Sequence, residues 1–557
     1  MNVYRDETLD TLKVRRALTL PTVPAGAIQL SSPPGSVVYQ PSTSSLFTSN
    51  GITWTVVGGG GGGGGTVVIG PGGDYSTLLE ALQDGVVSVA VETSFTDASV
   101  VDAATMPSNL LIYILPGVVY SYSGTMDISS KRLIITGSGR TSIFRADRAT
   151  TPYTSNLSSS ILCMDCTYSL GTTYNDSVMG QYVTFDTRNT VLESLNPAPT
   201  QPMLSALASP AKMTLISTTF IGSSASCRLI TAVSGASIVA VNTRFLGTFT
   251  SASGAGLACV DTVSDAAIWR SSSVETTAGI VLRVGGRIEQ VSGDITVPSR
   301  LEIALDGTIV FDCSNFLMSP ITASNCSLSL CSLLSNVDIG GNLHSLTDIR
   351  VIGTLTLSGN SFTLRGTTTG NGLTISGDDM NIGGVLSFNT ITLSGTGALF
   401  TSVQSVGDID IVGNECQLTT SSIFGALTVT GNDATITSCK NQGSAVNVSG
   451  QRVKLIGFDI VDTVTFTSTS VGSIVSDSNI DTLQLNAPSS RASNCTLSTL
   501  NIDVSTATNV VVTGSTITAV AVSNSGGGVA TDPLFVGNRV PDPGATNISP
   551  ASVGNQN

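Results

Sequence analysis

The chain has 557 residues, of which 11% are charged, 5% are aromatic and 58 are glycine. The small charged fraction argues against a helical protein and against a disordered chain, while alternating valine, isoleucine, leucine and threonine favour β-strands. The net charge of −14 argues against nucleic-acid binding, because no basic patch is present to neutralise phosphates.

The N-terminal residues carry no export signal. Residues 1–16 are charged where a signal peptide requires an apolar segment. The sequence also contains no run of about 18 apolar residues, the length that a membrane-spanning helix needs. We therefore expect a protein that is made in the cytoplasm and has no membrane span.

The segment before the glycine-rich region is predicted to form a β-hairpin. Residues 35–40 and 45–57 alternate apolar and polar side chains around a turn, with Tyr39 and Trp54 as aromatic anchors. The segment resembles a recurrent part of phage and large-DNA-virus fibre and appendage proteins, where it precedes a trimeric shaft. That resemblance implies that residues 1–57 form an attachment and oligomerisation arm, that the chain is a homotrimer, and that the arm binds other virion proteins.

Eight consecutive glycines occupy residues 58–65. Glycine loses more backbone entropy on folding than any other residue and has no side chain to bury, so this run cannot belong to a core. Two interpretations remain open. The run is either a joint or close-packed trimeric bundle between the arm and the rest of the chain, or a linker that only spans a distance.

Residues 67–145 open with a helix signal and continue with strand signals. Thr77 and Glu80 form a capping-box pattern ahead of a leucine-rich turn, and residues 114–120 and 133–144 are predicted to be strand–turn–strand units. In this order the elements resemble the first coils of the pectin-lyase-like superfamily of right-handed parallel β-helices. The resemblance implies that the short helix caps the open end of a solenoid, where strand edges and apolar core would otherwise be exposed.

Between residues 150 and 300 the strand-like segments continue at uneven spacing. This pattern indicates coils with longer excursions between their strands. The polar stretch at residues 153–174 is predicted to be such an excursion.

The strongest signal is a repeat between about residues 301 and 502. Six segments share an apolar-x-apolar pair followed by a glycine, and successive glycines follow one another at a nearly constant interval. A second apolar pair recurs at the same interval, as in Phe362/Leu364 and Met380/Ile382. A fixed short period with internal alternation is typical of a β-solenoid, in which each repeat is one coil. With the preceding coil, the glycines in this register are Gly341, Gly359, Gly377, Gly395, Gly413, Gly431 and Gly450.

The repeat predicts an all-β fold, a single-stranded parallel β-helix with about 18 residues per coil. Each strand would pair in parallel with its equivalent in the next coil, about 4.8 Å away, so that about 20 coils would span about 100 Å. The uneven offsets of the inward pairs favour a right-handed helix, although three hexapeptides per coil would give a left-handed one. The repeated glycines are expected at sharp turns with positive φ. We expect a solenoid body at residues 66–525 and an aperiodic C-terminal tail at residues 526–557.

Catalysis by such a solenoid would require carboxylates on its outer surface. The candidates are the pairs Asp378/Asp379, Asp408/Asp410 and Asp459/Asp462. Asp408 and Asp410 flank one inward residue, so both would point outward about 7 Å apart, a spacing that suits an inverting glycosidase. Solvated surface aspartates are much commoner than catalytic ones, so these residues are weak candidates.

The ten cysteines and the single histidine do not form a recognisable metal site. Cys163 and Cys166 make one isolated C-x-x-C motif, which favours buried free thiols over zinc. Cys313 and Cys331 are separated by one repeat interval, so they are expected in adjacent coils, as free thiols rather than a disulfide in a reducing cytoplasm. His344 has no evident partner and is expected at the surface or in a turn. We expect no cofactor and no metal.

These features favour a virion structural protein, namely a fibre, spike or capsid-associated β-helix that serves particle architecture or contact with host surface glycans. Its expected location is the virion surface. The first alternative is a tailspike-like polysaccharide lyase or hydrolase that uses the outward carboxylates. The second is a bacterial surface adhesin, which fits poorly with the missing export signal. The motifs of polygalacturonases and pectin methylesterases are absent from the sequence.

Overall fold

The computed structural model describes residues 37–40, 45–49, 54–57, 67–155, 158–174, 183–196, 203–206, 212–222, 230–232, 237–247, 260–262, 267–276, 281–293, 299–443, 445–524 and 533–539. The chain forms two compact units. Unit 1 comprises residues 1–203 and 216–221, and unit 2 comprises residues 204–215 and 222–557. Nearly all regular structure in the described part is β-strand, and none of its helices is long and apolar enough to cross a membrane.

Three antiparallel strands precede the glycine run. Val37–Gln40 pairs with Ser45–Ser49, which in turn pairs with Trp54–Val57. The predicted hairpin is therefore confirmed, as a meander in which the predicted second strand is divided into two. Residues 58–65 lie outside the described residues, and both interpretations of the glycine run stay predictions.

Unit 1 is a parallel β-solenoid with three ladders of strands. The first ladder consists of Val67–Ile69, Ser88–Val91, Asn109–Ile114, Arg132–Gly137, Ser159–Met164 and Val183–Arg188. The second consists of Phe95–Asp97, Val119–Tyr122, Ile143–Ala146, Thr167–Leu170 and Val191–Ser194. The third consists of Val100–Val101, Thr125–Asp127 and Tyr153–Thr154.

The interior of unit 1 contains tyrosines whose hydroxyls form internal hydrogen bonds. Tyr120 and Tyr168 occupy the same inward position two coils apart and are fully buried. The Tyr168 hydroxyl lies 2.7 Å from that of Tyr153, and the Tyr120 hydroxyl donates to the buried Asp97 carboxylate at 2.9 Å. The prediction of a polar excursion at residues 153–174 is therefore wrong, because tyrosines can be buried when their hydroxyls find partners.

A short helix, Leu78–Gln83, follows the first strand of unit 1. Thr77 is its N-cap and accepts a hydrogen bond from the Glu80 N–H at 3.3 Å, as the capping-box pattern predicts. The Glu80 carboxylate accepts the Ser76 N–H at 2.9 Å, and the Asp97 carboxylate accepts the first N–H of the helix at 2.8 Å. Six residues of helix span only about 9 Å. The expectation that this helix caps the end of the solenoid is not supported.

Unit 2 is a longer parallel β-solenoid with three faces, named A, B and C. Face A contains Ser237–Val241, Ala267–Arg270, Arg287–Glu289, Ile309–Phe311, Ser327–Ser329, Ser345–Thr347, Thr363–Arg365, Asn381–Gly383, Leu399–Thr401, Gln417–Thr419, Thr435–Thr437, Lys454–Ile456, Ile474–Ser476, Arg491–Ser493, Val511–Thr513 and Leu534–Val536. Face B contains Arg244–Gly247, Ser273–Thr276, Ser332–Leu333, Arg350–Val351, Thr368–Thr369, Leu386–Ser387, Gln404–Ser405, Ser422–Ile423 and Lys440–Asn441.

Face C contains Leu204–Ala206, Ile230–Ala232, Val260–Thr262, Val281–Val284, Ser299–Ile303, Ser314–Met318, Val337–Ile339, Thr354–Leu357, Gly372–Ile375, Ile391–Leu393, Ile409–Ile411, Leu427–Val429 and Val446–Val448. Beyond these strands, faces B and C merge into the long strands Asp459–Phe466, Asn479–Leu485, Thr496–Asp503 and Thr516–Ser523. Two further strands, Lys212–Ile216 and Thr219–Gly222, lie where the sequence alternates between the units.

The columns predicted from the repeat are present in unit 2. Leu355 pairs with Leu373, which pairs with Ile391, and the register continues through Ile409 and Leu427. All five side chains are at most 1% exposed. The second predicted column consists of Leu364, Ile382, Phe400, Leu418, Ile436 and Leu455. The parallel solenoid is therefore confirmed, and the handedness of its coil stays a prediction.

The periodic part of the chain extends beyond the predicted boundary at residue 525. Leu534–Val536, which the sequence analysis places in the aperiodic tail, pairs in parallel with Val511–Thr513, and Phe535 is buried. The interval between Phe535 and its partner Val512 is longer than the repeat interval, and this longer interval hides the period in the sequence. The residues after position 539 lie outside the described part of the chain.

Candidate functional site

The repeated glycines form a direct backbone stack along unit 2. From Gly359 onward, each Cα faces the carbonyl oxygen of the equivalent glycine in the preceding coil, so that an added Cβ would lie far inside the 3.0 Å that real Cβ contacts keep. Of the seven, only Gly341 has a positive φ, of 65°. The expectation of positive φ is therefore wrong for the other six, where the close approach of two coils requires glycine. The stack comprises Gly341, Gly359, Gly377, Gly395, Gly413, Gly431 and Gly450.

The left-handed backbone of each coil lies two residues after the stacked glycine. Ser361, Asp379, Glu415 and Asp433 have φ values between 54° and 60°, and Gly397 takes the same position with 71°. Aspartate tolerates this conformation better than most residues because its short polar side chain can bond locally. Asp379, one of the candidate carboxylates, therefore has a place in the turn that does not depend on catalysis.

Asp378 belongs to a column of side chains that accept hydrogen bonds from the next coil. Asn342 accepts the Asn360 N–H at 3.0 Å, and Asn360 accepts the Asp378 N–H at 2.9 Å. Asp378 then accepts the Thr396 N–H at 2.7 Å, and the column resumes at Asn414. Amide and carboxylate oxygens accept in the same way at these positions. The Asp378 carboxylate is therefore engaged by the backbone of the following coil.

Asp408 occupies a second acceptor column. Its carboxylate accepts the Ala426 N–H of the next coil at 2.7 Å, as Asn336 accepts the Thr354 N–H at 3.0 Å in an earlier coil. Asp408 lies in the turn before a face C strand, whereas Asp410 lies within that strand on its outward side. The two carboxylates that the sequence suggested as an inverting pair therefore sit in different local structures, and one of them is held by a backbone N–H.

We expect Asp408→Asn to leave stability unchanged and Asp408→Ala to lower it by about 1 kcal/mol. The amide keeps an acceptor oxygen for the Ala426 N–H, whereas the methyl group does not. Urea unfolding followed by circular dichroism measures both variants. Equal losses in the two variants would mean that the charge, rather than the acceptor oxygen, stabilises this turn.

Asp459 is the first residue of one long strand, Asp462 lies near the middle of the same strand, and both are exposed. The Asn479 side-chain amide donates to the Asp459 carboxylate at 3.2 Å, and the Thr463 hydroxyl donates to the Asp462 carboxylate at 3.2 Å. Each carboxylate thus has its own neighbour as a partner. This arrangement is typical of solvated surface aspartates with local hydrogen bonds.

The eight cysteines in the described part of the chain are core residues. Cys163 and Cys166 are buried free thiols, and burial raises the pKa of Cys166 to about 12. Cys313 and Cys331 are also buried and free, and their hydrogen bond, together with burial, raises the pKa of the Cys313 thiol. Protonated thiols without solvent access are poor nucleophiles and poor metal ligands. Within the described ranges, no group of three or more histidine, cysteine, aspartate or glutamate side chains is placed to hold a metal ion.

His344 is buried, with 2% of its surface exposed, so the expectation of a surface position is wrong, although the residue directly follows the turn at residues 341–343. The Cys326 N–H donates to Nδ1 at 3.2 Å, and Nε2 lies 3.0 Å from the Gly340 carbonyl oxygen. The ring packs on Phe362 with the centroids 4.7 Å apart. These contacts fit the neutral imidazole with its proton on Nε2. His344 precedes Phe362 by one repeat interval, and this relation was the available signal for an interior position.

We expect the protein to lose stability between about pH 7.5 and about pH 5.5 through His344. Burial lowers the pKa of His344 in the folded state, so the unfolded chain takes up a proton first, near the ordinary histidine pKa of about 6.5. Protonation therefore favours unfolding as the pH falls through that value. His344→Phe should remove this pH dependence, because the chain has no other histidine. The urea midpoints of wild type and variant at about pH 7.5 and about pH 5.5 measure this loss of stability. If the midpoint falls equally in both proteins, His344 is not the cause.

Comparison with known proteins does not place the chain in a family. No protein-family profile matches it, and no curated protein does. One solved structure, the A-module of the mannuronan C-5 epimerase AlgE6 from Azotobacter vinelandii, aligns with 12% sequence identity over 78% of this chain and 91% of that chain, with a TM-score of 0.12. A likeness at this level carries no argument about fold or activity.

Proposed function

We propose that the protein is a structural, glycan-contacting component of a virion surface and not an enzyme. The observation that carries this proposal is how the candidate carboxylates are used. Asp378 and Asp408 accept backbone N–H groups of the next coil, and Asp379 occupies a left-handed turn. Structural roles account for these residues without catalysis. Asp378 and Asp408 hold the backbone of the next coil, and Asp379 occupies a turn position within its own coil.

The outer face C offers a regular row of hydroxyl groups. Thr356 pairs with Thr374, which pairs with Thr392 in the next coil, so the outward side chains recur about every 4.8 Å. Repeated weak contacts of this kind reach a useful combined strength without a deep pocket. Host surface glycans, which present many hydroxyl groups, are the proposed ligand class.

The proposed location on a virion rests on the resemblance of the N-terminal segment to fibre and appendage proteins. Three antiparallel strands between Val37 and Val57 make up a separate small sheet, as an attachment module would. We propose that this arm binds other virion proteins and that the chain is a homotrimer of the pectin-lyase-like type. The solenoid would then serve as the projecting part of the appendage.

Two measurements test this proposal. The chain should be present in purified particles, and incubation with host polysaccharides should release neither reducing ends nor unsaturated sugars. Cleavage that disappears in Asp408→Asn or Asp410→Asn would contradict the proposal and favour a tailspike-like lyase or hydrolase. The asparagine variants suit this purpose because they keep the acceptor oxygen at position 408.

A further inference from the structure

An apolar stripe runs along the outer corner of unit 2 where face B meets face C. Its side chains, Ile352, Phe388, Val406 and Phe424, are 48%, 55%, 50% and 47% exposed. Each directly follows a face B strand, and its backbone N–H bonds to the preceding coil in the same way. Because neighbouring coils are about 4.8 Å apart, the stripe is about 19 Å long and runs parallel to the solenoid axis of this unit.

The packing of the coils does not require apolar residues in this position. Gly370 takes the place between Ile352 and Phe388, and Gln442 takes it in the coil after Phe424. Single exposed apolar side chains are ordinary, but a patch of several such side chains on one corner is often an interaction site. With about half of each side chain exposed, the four residues present roughly 350 Å² of apolar surface.

The size and composition of the stripe suit the centre of a protein interface. A stable interface buries about 800 Å² on each partner, with a charge-poor apolar centre and a polar rim. Asn389 and Gly425, which follow the two phenylalanines, are uncharged. The stripe thus supplies nearly half of the required area as its apolar centre, and the flanking columns supply the rim.

Few charged side chains flank the stripe. Arg350 lies on the face B side in the coil of Ile352, and Asp408 and Asp410 lie on the face C side in the coil of Val406, three coils further along the axis. Two copies related by rotation about an axis parallel to the solenoid keep these heights, so the opposite charges stay about 14 Å apart along the axis and are screened. The apolar side chains therefore carry the contact.

We propose that copies of this chain associate side by side through the stripe formed by Ile352, Phe388, Val406 and Phe424. The side chains of the stripe recur at the spacing of the coils. A partner surface that recurs at the same spacing can cover the stripe along its whole length, and a second copy of the solenoid has such a surface. The proposal depends neither on glycan binding nor on a virion location, and it names the contact surface of the homotrimer proposed above. A monomeric wild type would contradict both the homotrimer and the stripe, whereas an assembly that survives in variants of the stripe residues would contradict only the stripe.

The test is the mass of the full chain in solution, measured by light scattering at micromolar concentration. We expect the wild type at a multiple of 56.8 kDa, and F388K/F424K at the mass of one chain with an unchanged circular dichroism spectrum. Val412→Lys is the matched control, because Val412 is 51% exposed but follows a face C strand at a different corner. Its mass should equal that of the wild type.

A second variant keeps the test valid if F388K/F424K does not fold. Val406→Lys changes a single half-exposed residue and places one charge at the centre of the stripe, so it should dissociate at concentrations where the wild type is assembled. A monomeric wild type, or assembly that survives in both variants, would overturn the proposal. The proposal would also be overturned if the wild type is monomeric and binds oligosaccharides while F388K/F424K does not bind them. In that case the stripe is a binding surface for sugar rings.

Discussion

Gly395→Ala is expected to lower the stability of the solenoid by roughly 3 kcal/mol or more. The added Cβ would meet the Gly377 carbonyl oxygen, because the two glycines stack directly. The obstructing atom belongs to the backbone, so no side-chain rotation can relieve the clash. Relief requires two coils to separate, which weakens the ladder hydrogen bonds between them. The urea midpoint of the full chain, followed by circular dichroism, measures the loss.

Gly340→Ala is the matched control for this prediction. Gly340 lies next to the stack, its φ is outside the left-handed region, and the nearest atom to an added Cβ is the Ile321 carbonyl oxygen at 3.4 Å. We expect no loss, or a gain of up to about 1 kcal/mol, because alanine restricts the unfolded chain. Similar losses at both positions would mean that the close approach of the coils is not the reason for glycine at position 395.

Phe400→Ala is expected to lower stability by about 3–5 kcal/mol, and Leu399→Ala by less than about 1 kcal/mol. The two residues are neighbours in the strand Leu399–Thr401, yet Phe400 is 1% exposed and Leu399 is 36% exposed. Phe400 lies between Ile382 and Leu418 in the interior column, so its removal leaves a cavity. Urea unfolding of both variants provides the comparison.

The sign of the difference between these two variants is informative. Successive side chains of a strand point to opposite faces, and a shift of one residue in register would exchange the two roles. A larger loss for Leu399→Ala than for Phe400→Ala would therefore contradict the register of face A. Equal losses would contradict the alternation itself.

The fold of unit 2 could be predicted because its period is constant. Leu355, Leu373 and Ile391 follow one another at the repeat interval and pair directly. Residues that are one interval apart in the sequence are therefore neighbours in space. In unit 1, Leu133 pairs with Leu110 in one neighbouring coil and with Ile161 in the other, and the second interval is longer than the first. Loops of different length remove the period there, and only the local strand patterns remain visible.

The candidate carboxylates could be found from the sequence, but their use could not. Whether Asp408 is free or holds an N–H depends on how the turns of two coils stack, and no local pattern reports that contact. For Asp378 a signal existed, because Asn342 and Asn360 precede it at the repeat interval. The buried tyrosines and His344 were missed for another reason: polar atoms look exposed in a sequence until their partners inside are known.

Distances between spin labels on face C test the parallel stacking of coils most directly. Thr356 and Asn447 are five coils apart in one outward column, and Thr356 and Asn501 are eight coils apart. The two labels of the Thr356→Cys/Asn447→Cys variant should lie about 24 Å apart, and those of the Thr356→Cys/Asn501→Cys variant about 38 Å apart. The native cysteines in the described part of the chain are buried, and excess unlabelled protein removes distances between copies. Distances that rise by about 4.8 Å per coil are the predicted result, and two equal distances would contradict the solenoid.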